Sequence, residues 1–126
     1  MVQANKAFKF GWFGDGGLGE RLIQKILDGH KTATVCPDYD PVDSDLVVGD
    51  TLELTDKHGR ARAQLVVTRV ERRLFSSFDE PLAAATGLTL PELLEGTRFA
   101  NGRPLRPDEE MRVTYFKLVA ARRIAI

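Results

Sequence analysis

The sequence predicts an α+β domain: a small mixed or antiparallel β-sheet, open or closed into a barrel, with helices gathered at one end. Three observations point there. The stretch Leu18 to Leu27 has clear helical periodicity. Strand-like segments outnumber helical ones. The order strand, helix, strand, hairpin, short helices, strand does not alternate regularly, which disfavours a parallel doubly wound sheet.

Each element has a local reason. Lys6 to Phe13 alternates loosely and carries Phe8, Phe10, Trp12 and Phe13, so it reads as a short strand or an extended entry into the core. Gly14-Asp15-Gly16-Gly17 breaks it, with Asp15 placed to cap the next helix. In that helix Leu18, Leu22, Ile23, Ile26 and Leu27 share one face, and Glu20, Arg21, Gln24 and Lys25 the other. Gly29 stands where a left-handed C-terminal cap is wanted. Lys31 to Val35, short and rich in threonine, is expected as a strand, and Pro37 to Asp45, with its aspartates and prolines, as a loop. Asp50 to Thr55 and Ala61 to Arg73 flank Asp56-Lys57-His58-Gly59, a β-hairpin with Gly59 in the turn. Within the second strand, Leu65-Val66-Val67 predicts burial on both faces.

Phe75 to Thr86 holds one short helix starting near Pro81, a residue tolerated in a first turn. Thr89-Leu90-Pro91-Glu92 has capping-box spacing and opens a second short helix ending near Gly96. Arg98 to Asp108 is polar, holds Gly102, Pro104 and Pro107, and is expected as a loop. Met111 to Ala120, with Val113, Tyr115, Phe116, Leu118 and Val119, is the final strand.

At 126 residues the chain is expected to form one domain, 1–126, and its 43% hydrophobic and 29% charged residues exclude the disordered class. Lys+Arg and Asp+Glu are both 18, so net charge gives no push toward nucleic acid, and such a role needs a local basic face. No apolar run is long enough to cross a bilayer, the N-terminus lacks a signal-peptide pattern, and the sole cysteine, Cys36, fits a reducing compartment. The expected location is cytoplasmic, with no membrane partner.

The candidate site is Gly29-His30-Lys31-Thr32-Ala33-Thr34. In a regular strand Lys31 and Ala33 share one face, and Thr32 and Thr34 the other. A bend would let Lys31 and Thr34 converge. A buried lysine of lowered pKa could then take a proton from the threonine hydroxyl and make it a nucleophile. Alternatively, ammonium and hydroxyls could hold a phosphate or a base edge. A solvated lysine beside packed strand threonines is the plain alternative, and spacing alone favours it.

Other constellations carry less. Gly14-Asp15-Gly16-Gly17-Leu18-Gly19 resembles a phosphate loop superficially but lacks the Lys-Ser/Thr ending. His30, Cys36, His58 and the aspartates from Asp38 to Asp45 show no metal-ligand spacing, so no metal and no cofactor is expected. Arg60, Arg62, Arg69, Arg72 and Arg73 form one basic group, and Arg98, Arg103, Arg106 and Arg112 another. If these met on one face, with Trp12, Phe13 or Tyr39 for stacking, they would make a groove for single-stranded RNA. Glu71, Asp79, Glu80 and Asp108 to Glu110 dilute that face.

Taken in order, these segments resemble the ASCH domain family, related to the PUA RNA-binding domain. The residues that carry the resemblance are Phe13-Gly14-Asp15 before a helix, Gly29-His30-Lys31-Thr32-Ala33-Thr34 at its end, and Val48-Gly49-Asp50 ahead of a strand. The stretch from Phe75 through Leu94 and the strand Val113 to Leu118 look similar too, so the resemblance spans roughly Phe8 to Val119. It implies a PUA-like mixed β-barrel with flanking short helices, and a cleft beside Lys31 for RNA or a nucleoside-like ligand. Some small members deacetylate N4-acetylcytidine, and another member is a ribonuclease. By that resemblance Lys31 would be the base and Thr34 the nucleophile of an amidohydrolase, and a decayed interaction domain is the further alternative. Two family positions differ: the arginine five residues after the lysine is Cys36, and the glutamate of an Ala-x-x-Glu-Gly stretch is Thr86. The candidate ligand-binding residues are Trp12, Phe13, Gly29, Lys31, Thr32, Thr34, Tyr39 and Arg98.

Overall fold

In the computed structural model, which describes residues 6–40, 45–97, 99–100 and 103–121, the chain begins with β1 (Lys6–Lys9), α1 (Leu18–Leu27), β2 (Ala33–Pro37) and β3 (Thr51–Thr55). It continues through β4 (Ala61–Leu74), α2 (Glu80–Thr86), α3 (Leu90–Thr97), β5 (Phe99–Ala100), β6 (Arg103–Pro104) and β7 (Glu110–Ala121). Five strands form one sheet in the order β1-β3-β4-β7-β2. Its spine is the long antiparallel pair β4 and β7, whose register runs from Ala63 opposite Ala121 to Leu74 opposite Glu110. β1 runs parallel to β3, and the remaining pairings are antiparallel.

Register shifts interrupt β3 against β4 at Leu54/Thr55, and β4 against β7 at Gln64/Leu65 and Val67/Arg69. An extra residue on one strand increases local twist and bends the sheet. The sheet accordingly curls into half a barrel, an α+β PUA-like architecture with short helices against it. The part of β4 covered on both faces is Arg62 to Leu65, which are buried consecutively; in the Leu65-Val66-Val67 run expected to be so, Val66 is only half-buried.

The helices occupy two territories. α1 presses Ile23 and Ile26 onto Phe8, Leu52, Leu54, Leu65, Val67 and Phe116. α2 and α3 bring Leu82, Ala83 and Leu93 onto Ala33, Met111 and Val113. Their starts are capped as their sequences require. Asp15 accepts from the amides of Gly17 (2.9 Å) and Gly19 (3.0 Å) ahead of α1. Asp79 accepts from the Leu82 amide at 3.1 Å. Thr89 and Glu92 exchange the reciprocal bonds of a capping box, at 2.9 and 3.3 Å.

Several boundaries differ from expectation: β1 ends at Lys9 rather than running to Phe13, and β2 takes in Pro37, expected to open the loop. β2 begins at Ala33, not Lys31, because His30 and Lys31 both donate their amides to the Lys25 carbonyl (2.8 and 3.0 Å) and close α1. Those groups are spent on the helix end before a strand ladder can use them. The segment expected as a loop from Arg98 to Asp108 contains the two-residue strands β5 and β6, paired with each other.

A candidate ligand cavity around Lys31

The seam between the two helical territories contains a cavity of about 320 Å³. Phe10 and Trp12 contribute from the segment after β1, Leu18 and Leu22 from α1, and Thr34 and Val35 from β2. Thr86 and Leu88 close it from the end of α2, and Glu92, Leu93, Gly96 and Thr97 from α3. Mostly apolar walls with a few polar groups are the usual make-up of a small-molecule site.

Lys31 is the unusual member. It is only 4% exposed. Its backbone is pinned on both sides: its own amide donates to Lys25 O, and the Thr32 amide donates to Ala85 O at 2.7 Å. Its Nζ donates to Ala33 O at 2.6 Å and to Thr86 O at 3.1 Å, and stands 5.5 Å from the centre of the Phe10 ring. Among the described residues no carboxylate lies within ion-pairing distance of it. Burial, reinforced by the nearby Lys25 charge, pushes the ammonium down to about 7. The two accepting carbonyls match the two N–H bonds of a neutral amine, which then keeps a lone pair.

The bend between helix and strand brings Lys31 and Thr34 to the same cavity, which a regular strand would not do. Trp12 joins them at the rim, 58% exposed. The other sequence candidates lie elsewhere. Phe13 is 72% exposed and stands against His58 and Lys57. Gly29, at φ 79°, serves the end of α1, and Thr32 is exposed. Tyr39 faces an open hollow with Asp38, Arg106, Asp108, Glu109 and Glu110. Arg98 lies outside the described residues.

Two crystal structures share this fold over nearly the whole chain. One is the ASCH domain from Lactobacillus crispatus JV V101, 20% identical, with a TM-score of 0.73 over 91% of this chain and 79% of that one. The fold is that of an ASCH domain. The other is protein EF3133 from Enterococcus faecalis V583, of the DUF984 family, 22% identical, with a TM-score of 0.71 over 96% of this chain and 80% of that one. No family model matches the sequence, and no curated protein matches it significantly.

Thr86 is buried, and its hydroxyl donates to Ala83 O at 2.7 Å. The carboxylate that does line the cavity is Glu92, which sequence reasoning assigned only to capping. Hydrogen bonds from the Thr89 amide and then the Thr89 hydroxyl hold its pKa below the usual range, so it is an anion at neutral pH. Phe10, Leu18 and Leu22 were also missed as cavity residues. The spacing of Leu18 and Leu22 puts them one above the other on α1, but nothing local says what they face.

Among the described residues, the arginines of the expected groove are held by carboxylates. Arg60 pairs with Asp56, Arg62 with Glu20 and Asp56, Arg69 with Glu71, and Arg73 with Asp79. Arg72 and Arg112 share Asp38, and Arg106 meets Asp108. Among the described residues no cluster of His, Cys, Asp or Glu is arranged to hold a metal ion, and no helix is long and apolar enough to cross a membrane.

Proposed function

We propose that this domain binds a nucleotide-like ligand, as a base within RNA or as a nucleoside, in the cavity of Trp12, Lys31 and Thr34. The observation that carries this reading is Lys31: a buried donor without a carboxylate partner among the described residues, in an apolar cavity rimmed by an exposed tryptophan. A planar heterocycle satisfies such a site. Its faces meet apolar walls and Trp12, and an acceptor on its edge meets the third N–H of the Lys31 ammonium, the other two being held by Ala33 O and Thr86 O. The ASCH fold and the family resemblance of the Lys31 segment support the same ligand class.

Trp12 is the only tryptophan, so its fluorescence reports on the cavity directly. Nucleosides and short single-stranded RNA, titrated at several salt concentrations, are expected to change its emission saturably. Lys31→Met is expected to weaken that binding at least tenfold. No saturable change at low salt, or equal binding by the variant, overturns the proposal.

A second reading is favoured by one observation, a lysine titrating near 7 in the same cavity as Thr34. The neutral amine would take the Thr34 Oγ1 proton as that oxygen attacks an amide carbonyl carbon. The C–N bond would then break, the leaving amine taking the proton back from Lys31, and water would hydrolyse the acyl-threonine ester. N4-acetylcytidine is the test substrate. Ultraviolet conversion that Thr34→Ala abolishes supports this reading, and equal inertness of wild type and variant removes it.

A further inference from the structure

A second hollow of about 320 Å³ shares Phe10 with the Lys31 cavity and is otherwise lined by Gly11, Asp15, Gly17, Glu20, Asp56, Lys57, His58 and Arg60. Trp12 and Phe13, both exposed, follow Phe10 and Gly11 in the chain. Trp12 belongs to the first cavity. Phe13 stands with the residues of the second: its ring centre is 5.4 Å from that of His58, nearly perpendicular to it at 79°, and 5.6 Å from Lys57 Nζ.

The charges of this hollow are unevenly committed. Glu20 and Asp56 are held by Arg62, and Asp56 also by Arg60. The Asp15 carboxylate is occupied by the amides of Trp12, Gly17 and Gly19. Lys57 has no carboxylate within ion-pairing distance among the described residues, and its charge is set against the Phe13 ring. An exposed aromatic ring beside a cation that makes no ion pair among the described residues and feels only the longer-range charge of Asp15, next in sequence to a tryptophan at a cavity rim, has the composition of a stacking step along a single strand.

We propose that Phe13, Lys57 and His58 form a second nucleotide subsite. A single-stranded RNA that places one base in the Lys31 cavity stacks the adjoining base on Phe13, and the phosphate that follows meets Lys57 and His58. The inference rests on the base-binding reading of the Lys31 cavity, and it makes the preferred ligand a strand of at least two nucleotides rather than a free nucleoside.

Trp12 fluorescence separates the two ideas. Cytidine, uridine, adenosine and guanosine are titrated beside the matching single-stranded hexanucleotides, with wild type, Phe13→Ala, Phe13→Trp and Lys57→Ala. Because Phe13→Trp adds a second fluorophore, that variant is followed by anisotropy of labelled RNA. Hexanucleotides are expected to bind more tightly than nucleosides. Phe13→Ala is expected to weaken hexanucleotide binding about tenfold and leave nucleoside binding in place, with Phe13→Trp restoring it. Lys57→Ala is expected to reduce the salt dependence of hexanucleotide binding by about one phosphate contact. These side chains are on the surface, so the variants fold. If nucleosides bind but hexanucleotides gain nothing and Phe13→Ala is silent, the second subsite is overturned while the first reading stands. If no nucleoside and no hexanucleotide binds, both fall.

Discussion

The side-chain nitrogen of Lys31 lies 3.1 Å from the carbonyl oxygen of Thr86, a residue 55 positions further along the chain. With Lys25, which donates to the neighbouring Gly87 carbonyl, it places two cationic groups on the last carbonyls of α2. Cations are favoured at that end of a helix. Both bonds tie the end of α1 to the end of α2, and they bury the one lysine that lines the cavity.

That burial makes stability depend on pH. The folded protein holds the Lys31 proton only to about 7, against an ordinary value of 10.5. Between those values the unfolded chain binds more protons than the folded one, so this group makes stability rise as pH rises through the window. The whole span is worth on the order of 4 kcal/mol. Urea denaturation at pH 7 and pH 9.5 is expected to show wild type gaining a few kcal/mol over Lys31→Met at the higher pH. A gap that does not change with pH would return Lys31 to an ordinary lysine.

Thr86→Glu is expected to act on the same group. A carboxylate introduced beside Lys31 favours the ammonium and raises its pKa, which removes most of the pH-dependent gain described above. Lysine side-chain NMR checks the direction. If the second functional reading holds, the same change is expected to raise deacetylation of N4-acetylcytidine. A Lys31 resonance that still titrates near 7 would show that the new carboxylate points away.

Gly19→Ala should reverse the usual sign of a glycine-to-alanine change in a helix. Ordinarily that substitution stabilises by about 1 kcal/mol. Here the added Cβ would lie 2.2 Å from Gly11 Cα and 2.7 Å from its nitrogen, both backbone atoms. The expected result is a net loss of about 2 kcal/mol, read as a lower denaturation midpoint. A gain would show that the segment carrying Trp12 shifts freely.

The partners of Arg62 should rank by burial. Arg62 holds both oxygens of Glu20, at 2.6 and 2.7 Å, and reaches the buried Asp56 at 3.3 Å. Burial alone would raise the Asp56 pKa, yet the Arg60 amide and guanidinium and the His58 amide outweigh it and keep the carboxylate ionised. Arg62→Met removes a buried guanidinium that joins Glu20 to Asp56, leaves Asp56 to Arg60, and is expected to lose about 2 kcal/mol. Glu20→Gln, on a half-exposed side chain, is expected to lose under about 1 kcal/mol. Equal losses in urea melts would contradict this ordering.

Features with local causes were legible in the sequence. Asp15, Gly29 and the Thr89/Glu92 pair act on amides or dihedrals a few residues away, so the ends of α1 and the start of α3 follow from composition and spacing. The resemblance across Phe13 to Asp50 carried the fold. What lay beyond reach was set by packing between distant segments. A lysine in Gly-His-Lys-Thr reads the same whether solvated or buried, and only the arrival of α2 and α3 desolvates it. Glu92 satisfies its capping role completely, so nothing in its neighbourhood marks it as a cavity residue. Arg62 reads as a basic surface residue because Glu20, which holds it, sits 42 positions away, whereas Arg60, Arg69, Arg73 and Arg106 pair with carboxylates two to six positions off.

Phe10 has a consequence beyond its place in either hollow. Its ring packs 4.9 Å from Phe8, and Phe8 in turn 6.0 Å from Phe116 in the core. A wall braced this way does not thin or thicken when a neighbour fills. The separation of the two hollows is set by core packing before any ligand arrives. On the two-subsite proposal above, a strand crossing from one hollow to the other would pass Trp12 and Phe13 at a fixed stride, and the domain would read the spacing of bases as well as their identity.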